Sequence, residues 1–166
     1  AQAQRISQFA SNHLQLTRLE TLGASEMTFR RVDLAALVRD AIEEGRLNGN
    51  AVTLEGARGP VWVMGDSASL ASVIRHLLEN AVKYGLGNEV NVSVARAADE
   101  SGDAVLKVTD RGMGIKVDEL RLVCDKFFRG KHQHVASGDG LGLALVREIV
   151  LLHRGNMSLD SEVGTG

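Results

Sequence analysis

Residues 76–84 read His76-Leu77-Leu78-Glu79-Asn80-Ala81-Val82-Lys83-Tyr84, and this stretch is the first of four short segments that decide the fold. The other three follow in the order Asp110-Arg111-Gly112-Met113-Gly114-Ile115, Gly138-Asp139-Gly140-Leu141-Gly142-Leu143 and Gly164-Thr165-Gly166. A single glycine cluster is weak evidence of a site, because glycine is common in ordinary turns. The order of all four segments, and the kind of element that carries each of them, is far more specific.

The first segment belongs to a predicted helix that Asp66 caps and that ends at Gly85. Its apolar side chains recur every three or four residues and form one stripe: Leu70, Val73, Ile74, Leu77, Leu78, Ala81 and Val82. His76, Asn80 and Lys83 lie together on a polar stripe beside it. A polar stripe next to the core can line a pocket, although this helix taken alone favours an ordinary solvated face.

The second segment places Asp110 at the end of a predicted strand, just before Gly112 and Gly114. An acidic side chain there can accept a hydrogen bond from an exocyclic amine, and the glycines let a flat base approach the backbone. A plain strand-to-loop turn would use the same residue types. The full string Asp-x-Gly-x-Gly-Ile favours the binding interpretation.

The third segment, with Gly138, Gly140 and Gly142, begins a predicted helix that extends through Leu152. Free backbone N–H groups at a helix N-terminus suit a triphosphate, and glycines allow it close to the chain. A dinucleotide-binding fold is disfavoured, because no strand immediately precedes the glycines and no strand–helix unit repeats around them.

The periodicity elsewhere predicts further helices over residues 1–22, 34–45, 117–123 and 141–152. The predicted strands, of which the fourth and fifth form a hairpin, are Thr28–Val32, Val52–Leu54, Val61–Met64, Glu89–Arg96, Ala104–Thr109 and Asn156–Leu159. This order predicts an α+β fold, a two-layer α/β sandwich with helices on one face of a mixed sheet. The first helix carries an apolar stripe that we expect to pack against a helix outside the chain or a second chain: Ile6, Phe9, Ala10, Leu14, Leu16 and Leu19.

Composition narrows the class of protein. The chain has 166 residues, 44% of them hydrophobic and 24% charged, which is typical of a globular domain. Its formal charge of −2 gives no reason to expect nucleic acid as a partner. Cys124 is the only cysteine, which excludes a disulfide framework and fits a reducing cytoplasm. No apolar run reaches the roughly 20 residues that cross a bilayer. We expect a fragment of a longer protein, without membrane contact of its own.

Together, the four segments resemble the ATP-binding catalytic domain of the sensor histidine kinases. That family shares the Bergerat ATP-binding fold with type II topoisomerases, ninety-kilodalton heat-shock chaperones and mismatch-repair ATPases. The resemblance implies that Asn80 binds Mg²⁺ through its amide oxygen, that Lys83 lies near the phosphates, and that Tyr84 lies beside the nucleotide. Asp110 would bind the adenine amino group. The family usually has asparagine or an acid where this chain has His76, so the resemblance leaves His76 and Glu79 to act on the metal through water.

The resemblance also implies an ATP lid over residues 116–139. Phe127 and Phe128 would anchor the lid by packing on the core, and Arg129, with Lys83, would position phosphate. The full set of cofactor-binding residues that it implies is Asn80, Lys83, Tyr84, Asp110, Gly112, Gly114, Ile115, Phe128, Gly138, Gly140, Leu141, Gly142, Leu143 and Thr165.

The implied organisation has three parts. Residues 1–22 are the tail of the second helix of a dimerisation hairpin, 23–27 are a linker, and 28–166 are the catalytic domain without its final strand. The domain would bind Mg-ATP and donate the γ-phosphoryl group to a histidine on the hairpin. That histidine would then pass the phosphoryl group to an aspartate of a response regulator. His13 lacks the family's phosphoacceptor motif, since Leu14 follows it and Pro60 is the only proline. The chain therefore should not phosphorylate itself.

The partners implied are ATP, the histidine-bearing hairpin, a receiver domain and, in the full-length protein, a second copy. The implied location is cytoplasmic, and anchoring of the full-length protein in the bacterial inner membrane is left open.

Two alternatives to the histidine-kinase interpretation remain. The first is an ATPase or serine kinase of the same fold; the ATPases usually carry glutamate at the position of His76 to activate water, so histidine there argues against attack by water. A non-catalytic nucleotide-binding module is opposed by the intact Asn80, Asp110 and glycine segments.

Overall fold

A computed structural model describes residues 2–47, 51–56, 59–98, 101–130 and 139–166. The helices that it shows are α1 (Gln2–Leu22), α2 (Leu34–Leu47), α3 (Ser67–Tyr84), α4 (Val117–Leu120) and α5 (Gly142–Leu152). The strands are β1 (Phe29–Asp33), β2 (Val52–Glu55), β3 (Trp62–Asp66), β4 (Val90–Arg96) and β5 (Ala104–Thr109). A short 3-10 turn, Gly23–Glu26, separates α1 from β1. None of the described helices is both long and apolar enough to cross a membrane.

The strands form two sheets. In the larger sheet, β2 runs parallel to β4, and β4 pairs with β5 in the antiparallel hairpin that the sequence predicts. In the smaller sheet, β1 and β3 are antiparallel, with Phe29 opposite Asp66. The sheets are therefore mixed, and helices pack on the larger one, which confirms the predicted α+β class.

Aspartates fix where α2 and α3 begin. Asp66 Oδ1 accepts a 2.8 Å hydrogen bond from the Ser69 amide, which makes Asp66 the N-cap of α3 as predicted. Its Oδ2 accepts from the Thr28 amide at 2.9 Å, so the same carboxylate joins the start of β1 to the end of β3. Asp33 acts similarly, because its Oδ1 accepts from the amides of Ala35 and Val61.

Two apolar clusters share α3, which contributes neighbouring faces to them. The first, the sheet core, joins α2 and α3 to the larger sheet through Leu34, Ala35, Val38, Ile42, Val52, Val61, Ile74, Leu78, Ala81, Val90, Val92 and Val94. The second, the helix core, joins α1, α3 and α5 through Leu16, Leu19, Val73, Leu141, Ala144, Leu145, Val146 and Ile149. Because α3 packs in both clusters, its orientation is fixed, and its polar stripe lies beside the face that packs in the helix core.

The first helix differs from the expectation. Leu16 and Leu19 are buried, but they pack on α5 of the same chain and not on an outside partner. Ile6, Phe9 and Leu14, which were predicted to share their stripe, are exposed. Two stripes rather than one therefore run along α1, and the apolar pattern alone does not separate them.

The predicted strand Asn156–Leu159 is wrong, because the structure forms no strand there. Among the described strands β5 pairs only with β4, so this segment has no ladder partner that would satisfy its backbone groups. Met157 packs against the helix core instead. Side-chain alternation is necessary for a half-buried strand, but it does not supply a hydrogen-bonding neighbour.

Candidate functional site

The polar stripe of α3 faces the beginning of α5. A Cβ atom placed on Gly142 would lie 3.6 Å from His76 Nδ1 and 4.0 Å from Asn80 Nδ2. The helix core positions this contact, because Val73 of α3 and Leu141, Ala144 and Leu145 beside or within α5 pack together in it. The structure thus brings the predicted metal residue and the predicted phosphate loop to one place.

His76 is far more enclosed than the sequence suggests. Only 4% of it is exposed, and its Nε2 atom has no hydrogen-bond partner among the described residues. Its Nδ1 atom lies 3.7 Å from Glu79 Oε2, while Glu79 itself is exposed and also lies 4.0 Å from Arg75 Nε. The imidazole therefore borders the site beside Asn80, and the Glu79 carboxylate lies on its Nδ1 side.

The last turn of α3 carries Lys83 and Tyr84. The Lys83 ammonium lies 4.8 Å from the centroid of the Tyr84 ring, a cation–π distance. A cation in this last turn also interacts favourably with the C-terminal end of the helix dipole. Lys83 is thereby kept near the cavity instead of extending freely into solvent.

The Asp110 loop is attached directly to this end of α3. Asp110 Oδ1 accepts a 2.9 Å hydrogen bond from the Gly112 amide, and the Met113 amide donates to the Tyr84 carbonyl at 3.3 Å. Gly112 is buried so closely against α3 that a Cβ atom on it would lie 2.1 Å from the Tyr84 oxygen. Only glycine permits this approach, which explains the residue type at that position in the second segment.

The final glycine turn is attached to the same loop. The Gly164 amide donates to the Met113 carbonyl at 2.9 Å, and the Ile115 amide donates to Ser161 Oγ at 2.8 Å. Gly114 has a φ of +67°, and a Cβ atom on it would lie 2.1 Å from the Glu162 carbonyl oxygen. Segments that are 46 residues apart in sequence thus contact each other directly. Ser161 was not predicted, and nothing in its local sequence marks it.

The segment around residues 125–130 contacts the start of the third glycine segment. The Phe127 amide donates to the Gly140 carbonyl at 2.9 Å. Phe128 is half-buried, as a lid anchor requires, but Phe127 is 54% exposed and does not pack on the core as predicted. Its backbone adopts a φ of 63°, and its ring lies 6.3 Å from that of His13 in α1. Arg129 is exposed, and Gly138 lies outside the described residues.

One broad cavity connects these parts. Most of the predicted site residues line it, namely His76, Glu79, Asn80, Lys83, Tyr84, Asp110, Gly114, Ile115, Phe128, Arg129, Gly140, Gly142, Leu143 and Thr165. Gly112 and Leu141 do not, because Gly112 is covered by the end of α3 and Leu141 is fully buried in the helix core. The backbone amide of Leu141 donates to Asp139 Oδ1 at 3.0 Å.

Asp139 and Asn12 are residues that the sequence reasoning missed. Asn12 Nδ2 donates to Asp139 Oδ2 at 2.9 Å, so α1 contacts the chain just ahead of α5. A second link is the ion pair between Glu20 and Lys126, with 2.5 Å between Oε1 and Nζ. The sequence does contain a signal for Asn12, because this polar residue lies one helical turn before Leu16, on the buried face of α1.

Burial raises the pKa of the Cys124 thiol, which is half-buried, so the thiolate form is disfavoured. This fits a packing role for Cys124.

Within the described residues no group of three or more histidine, cysteine, aspartate or glutamate side chains could hold a metal ion. A metal ion at His76 and Asn80 would therefore take most of its ligands from elsewhere.

Comparison with known proteins identifies the family. Residues 65–166 match the family described as histidine kinase-, DNA gyrase B-, and HSP90-like ATPase. A solved structure of the mycobacterial sensor histidine kinase MprB is 33% identical, with a TM-score of 0.66 over 76% of this chain and 81% of that one. The chain belongs to the sensor histidine kinases. The resemblance inferred from the four segments is thereby confirmed.

Two further relatives show how much of such a protein is present. The signal transduction histidine-protein kinase/phosphatase MprB of Mycolicibacterium vanbaalenii is 32% identical over 167 residues, covering 100% of this chain and 34% of the relative. The chain thus spans about a third of the length of this curated relative. Full-length ShkA in complex with AMPPNP shares the fold, with a TM-score of 0.77 at 22% identity over 95% of this chain and 33% of that one.

Proposed function

We propose that this chain binds Mg-ATP in the cavity between α3, the Asp110 loop and the start of α5, and presents the γ-phosphoryl group to a histidine on a dimerisation hairpin. The observation that carries the proposal is the convergence of three separate segments. The stripe with His76 and Asn80 faces Gly142, and the Asp110 loop is hydrogen-bonded to the last turn of the same helix.

The adenine base would lie against the Asp110 loop. The Asp110 carboxylate is oriented by its bond to the Gly112 amide, so its orientation does not have to be established when a ligand arrives. A carboxylate that is already fixed can accept a hydrogen bond from an exocyclic amine at little entropic cost. Gly114, Ile115 and Thr165 line the same end of the cavity and would border the base.

The phosphates would lie at the other end, near Gly140, Gly142 and Leu143. The N-terminus of α5 offers backbone amides and a positive dipole end, and this suits an anion. Lys83, kept near the cavity by the Tyr84 ring, and Arg129 would add positive charge. Little covalent chemistry is required of the protein, because phosphoryl transfer depends on positioning and charge neutralisation.

The residues present fit a magnesium ion that enters with the nucleotide. Asn80 offers a hard amide oxygen and Glu79 a carboxylate, which are donor types that Mg²⁺ accepts. Both residues line the cavity beside His76, whose Nδ1 atom lies 3.7 Å from Glu79 Oε2. When bound, the ion would neutralise phosphate charge, and the nucleotide and water would supply its other ligands.

The organisation that we propose keeps residues 1–22 as the tail of the second hairpin helix, 23–27 as a linker and 28–166 as the catalytic domain. The phosphorylated hairpin would pass its phosphoryl group to an aspartate of a receiver domain in two-component signalling. The full-length kinase would act as a cytoplasmic homodimer. His13 is exposed on α1 and lies near Phe127, but it is not proposed as the phosphate acceptor. The acceptor would be on a segment outside these residues.

The test uses γ-labelled ATP and two samples. The chain alone should bind ATP in a Mg²⁺-dependent way and should not label itself. Mixed with a separate hairpin that carries an acceptor histidine, it should label that hairpin slowly, because the linkage that raises effective concentration is absent. The product should be acid-labile and alkali-stable, as a phosphoramidate is. Acid-stable self-labelling would favour a serine kinase, and ATP hydrolysis without labelled protein would favour an ATPase.

A further inference from the structure

One buried residue of α1 lies in the cavity of the proposed nucleotide site. Only 5% of Asn12 is exposed, whereas its neighbours Ser11 and His13 are exposed. Asn12 lines the same cavity as Asp139, just ahead of α5. It precedes residues 65–166, which match the ATPase family, so that match gives Asn12 no role.

The contact between Asn12 and Asp139 fixes which of their atoms face each other. A carboxylate only accepts hydrogen bonds, so Asn12 presents its amide nitrogen to Asp139 Oδ2, at 2.9 Å. Asn12 Oδ1 accepts from Gln8 Nε2 at 2.9 Å, which is consistent with that orientation of the amide. The other carboxylate oxygen, Asp139 Oδ1, accepts from the Leu141 amide at 3.0 Å. Asp139 is therefore held by α1 on one oxygen and by the backbone at the start of α5 on the other.

The negative charge of Asp139 makes this contact relevant to the nucleotide. Asp139 directly precedes Gly140, and Gly140, Gly142 and Leu143 line the end of the cavity where the phosphates would lie. A carboxylate that could turn freely there would repel the phosphates and compete with them for the backbone amides at the start of α5. The two donors on Asp139 limit this rotation.

The chain after Asp139 is also fixed by the segment around Phe127. The Phe127 amide donates to the Gly140 carbonyl at 2.9 Å, and Gly140 has a φ of +70°. A Cβ atom on Gly140 would lie 2.7 Å from the Phe128 carbonyl oxygen, so the two backbone segments are in close contact. Asn12 supplies the corresponding support from the side of α1.

Other contacts should keep α1 in place when Asn12 is changed. Leu16 and Leu19 pack with α5 in the helix core, and Glu20 forms an ion pair with Lys126, with 2.5 Å between Oε1 and Nζ. A variant at position 12 therefore removes the hydrogen bond to Asp139 and should leave the helix packed on α5.

We propose that Asn12 is a positioning residue for the phosphates of the nucleotide. It holds the Asp139 carboxylate against α1 and thereby keeps this charge, and the glycine segment that follows it, in the arrangement that accepts phosphate. The inference rests on the proposed function, since it concerns that same nucleotide site. Asn12 acts through Asp139, and α1 thus contributes to nucleotide binding.

The first experiment compares Asn12→Ala with the unaltered chain and with Ser11→Ala, which truncates an exposed neighbour on α1. Calorimetry would measure binding of Mg-ATP and Mg-ADP, and competition with Mg-ADP would measure binding of adenosine. Affinity for Mg-ATP should fall by about two- to tenfold in Asn12→Ala, as expected for the loss of one hydrogen bond. Adenosine, which has no phosphate, should bind equally to all three proteins. An equal loss for adenosine and Mg-ATP would show a general structural effect and overturn the proposal.

The second experiment exchanges the chemistry of the two side chains. In Asn12→Asp, two carboxylates face each other and repel, so the affinity for Mg-ATP should fall further than in Asn12→Ala. When Asp139→Asn is added, the amide at position 139 can donate to the carboxylate at position 12 and still accept from the Leu141 amide. The double variant should therefore recover most of the affinity for Mg-ATP.

Ser11→Asp is the control for the added charge, because it places a carboxylate at an exposed neighbouring position. In that background Asp139→Asn should change the affinity only as much as it does alone, since residues that do not touch behave additively. Melting curves of every variant would set a temperature at which all of them are folded.

Additive effects of Asn12→Asp and Asp139→Asn would overturn the proposal, while binding of Mg-ATP by the unaltered chain would leave the proposed function standing. Absence of nucleotide binding by the unaltered chain would overturn the proposed function and, with it, this inference. The two failures are therefore distinguishable.

Discussion

The side-chain amide of Asn12 in α1 donates a 2.9 Å hydrogen bond to Oδ2 of Asp139, just ahead of α5. Every side-chain oxygen of these two residues accepts a hydrogen bond. Gln8 Nε2 donates to Asn12 Oδ1 at 2.9 Å, and the Leu141 amide donates to Asp139 Oδ1 at 3.0 Å. Asn12 is also buried. The position of α1 and the beginning of α5 are therefore set by one connected polar network rather than by apolar contact alone.

Asn12→Ala should destabilise the chain. It leaves one oxygen of the Asp139 carboxylate without its donor, and a partly buried acceptor in that situation costs about 1–3 kcal/mol. For a chain of this size, the melting temperature should fall by roughly 2–4 °C per kcal/mol. Ser11→Ala is the control, because it truncates the neighbouring, exposed side chain of α1 and leaves the bond between Asn12 and Asp139 in place. Equal melting temperatures for the two variants would contradict the role of this network.

The lowered pKa of Asp66 predicts that the folded state of the chain loses stability in acid. Burial alone would raise the pKa of its carboxyl group, but hydrogen bonds from the Ser69 and Thr28 amides outweigh burial, so the pKa lies below the ordinary value of 3.8. A carboxyl group with a lowered pKa in the folded state stabilises that state above its unfolded pKa. The stabilisation is lost as the pH falls from 3.8 through the lower folded value.

The measurement is the free energy of unfolding against pH for the unaltered chain and for Asp66→Asn. Asparagine still caps a helix, so α3 should form in the variant. The two free energies should differ near neutral pH and converge in acid as the Asp66 carboxyl group takes up its proton. Asp40→Asn, at an exposed position on α2, is the control for the removal of a carboxylate elsewhere on the chain. Parallel curves for the unaltered chain and Asp66→Asn would refute the assignment.

Much of this fold could be predicted from the sequence because its signals are local. The Asp66 cap, the apolar stripe of α3 and the Val90, Val92 and Val94 alternation each specify one element, and all three are confirmed. The strand predicted at Asn156–Leu159 was wrong, since pairing depends on a neighbour that its own residues do not encode. The family was also identifiable from the order of the four segments.

The contacts between distant segments could not be predicted in this way. Asn12 and Asp139 are 127 residues apart, and no periodicity links them. The exposure of Phe127 follows from a left-handed backbone conformation that is uncommon for a bulky residue. The burial of His76 depends on how closely α5 approaches α3, and the helical pattern of α3 does not contain that distance.

Gly112→Ala should loosen the attachment of the Asp110 loop to α3. The added Cβ atom would lie 2.1 Å from the Tyr84 carbonyl oxygen, so the loop or the helix end has to move. Overpacking of this kind typically costs about 1–3 kcal/mol. Gly45→Ala is an informative control, because a Cβ atom there meets nothing within 4 Å and alanine favours the helical state of α2. Denaturant unfolding should show opposite signs for the two variants, and a neutral Gly112→Ala would contradict the predicted clash.

Asn80→Ala tests the proposed metal ligand separately from stability. Asn80 is half-buried beside Gly142 and belongs to neither apolar cluster, so the unfolding temperature should hardly change. Affinity for Mg-ATP should fall by at least about tenfold, since even groups behind a metal ligand contribute about 10- to 100-fold. Asn91→Ala on β4 removes the same amide away from the cavity and should bind normally. Binding of ATP without a divalent ion should be similar in all three proteins, because Asn80 is proposed to act through the metal. Undiminished Mg-ATP affinity in Asn80→Ala would show that the metal is held elsewhere.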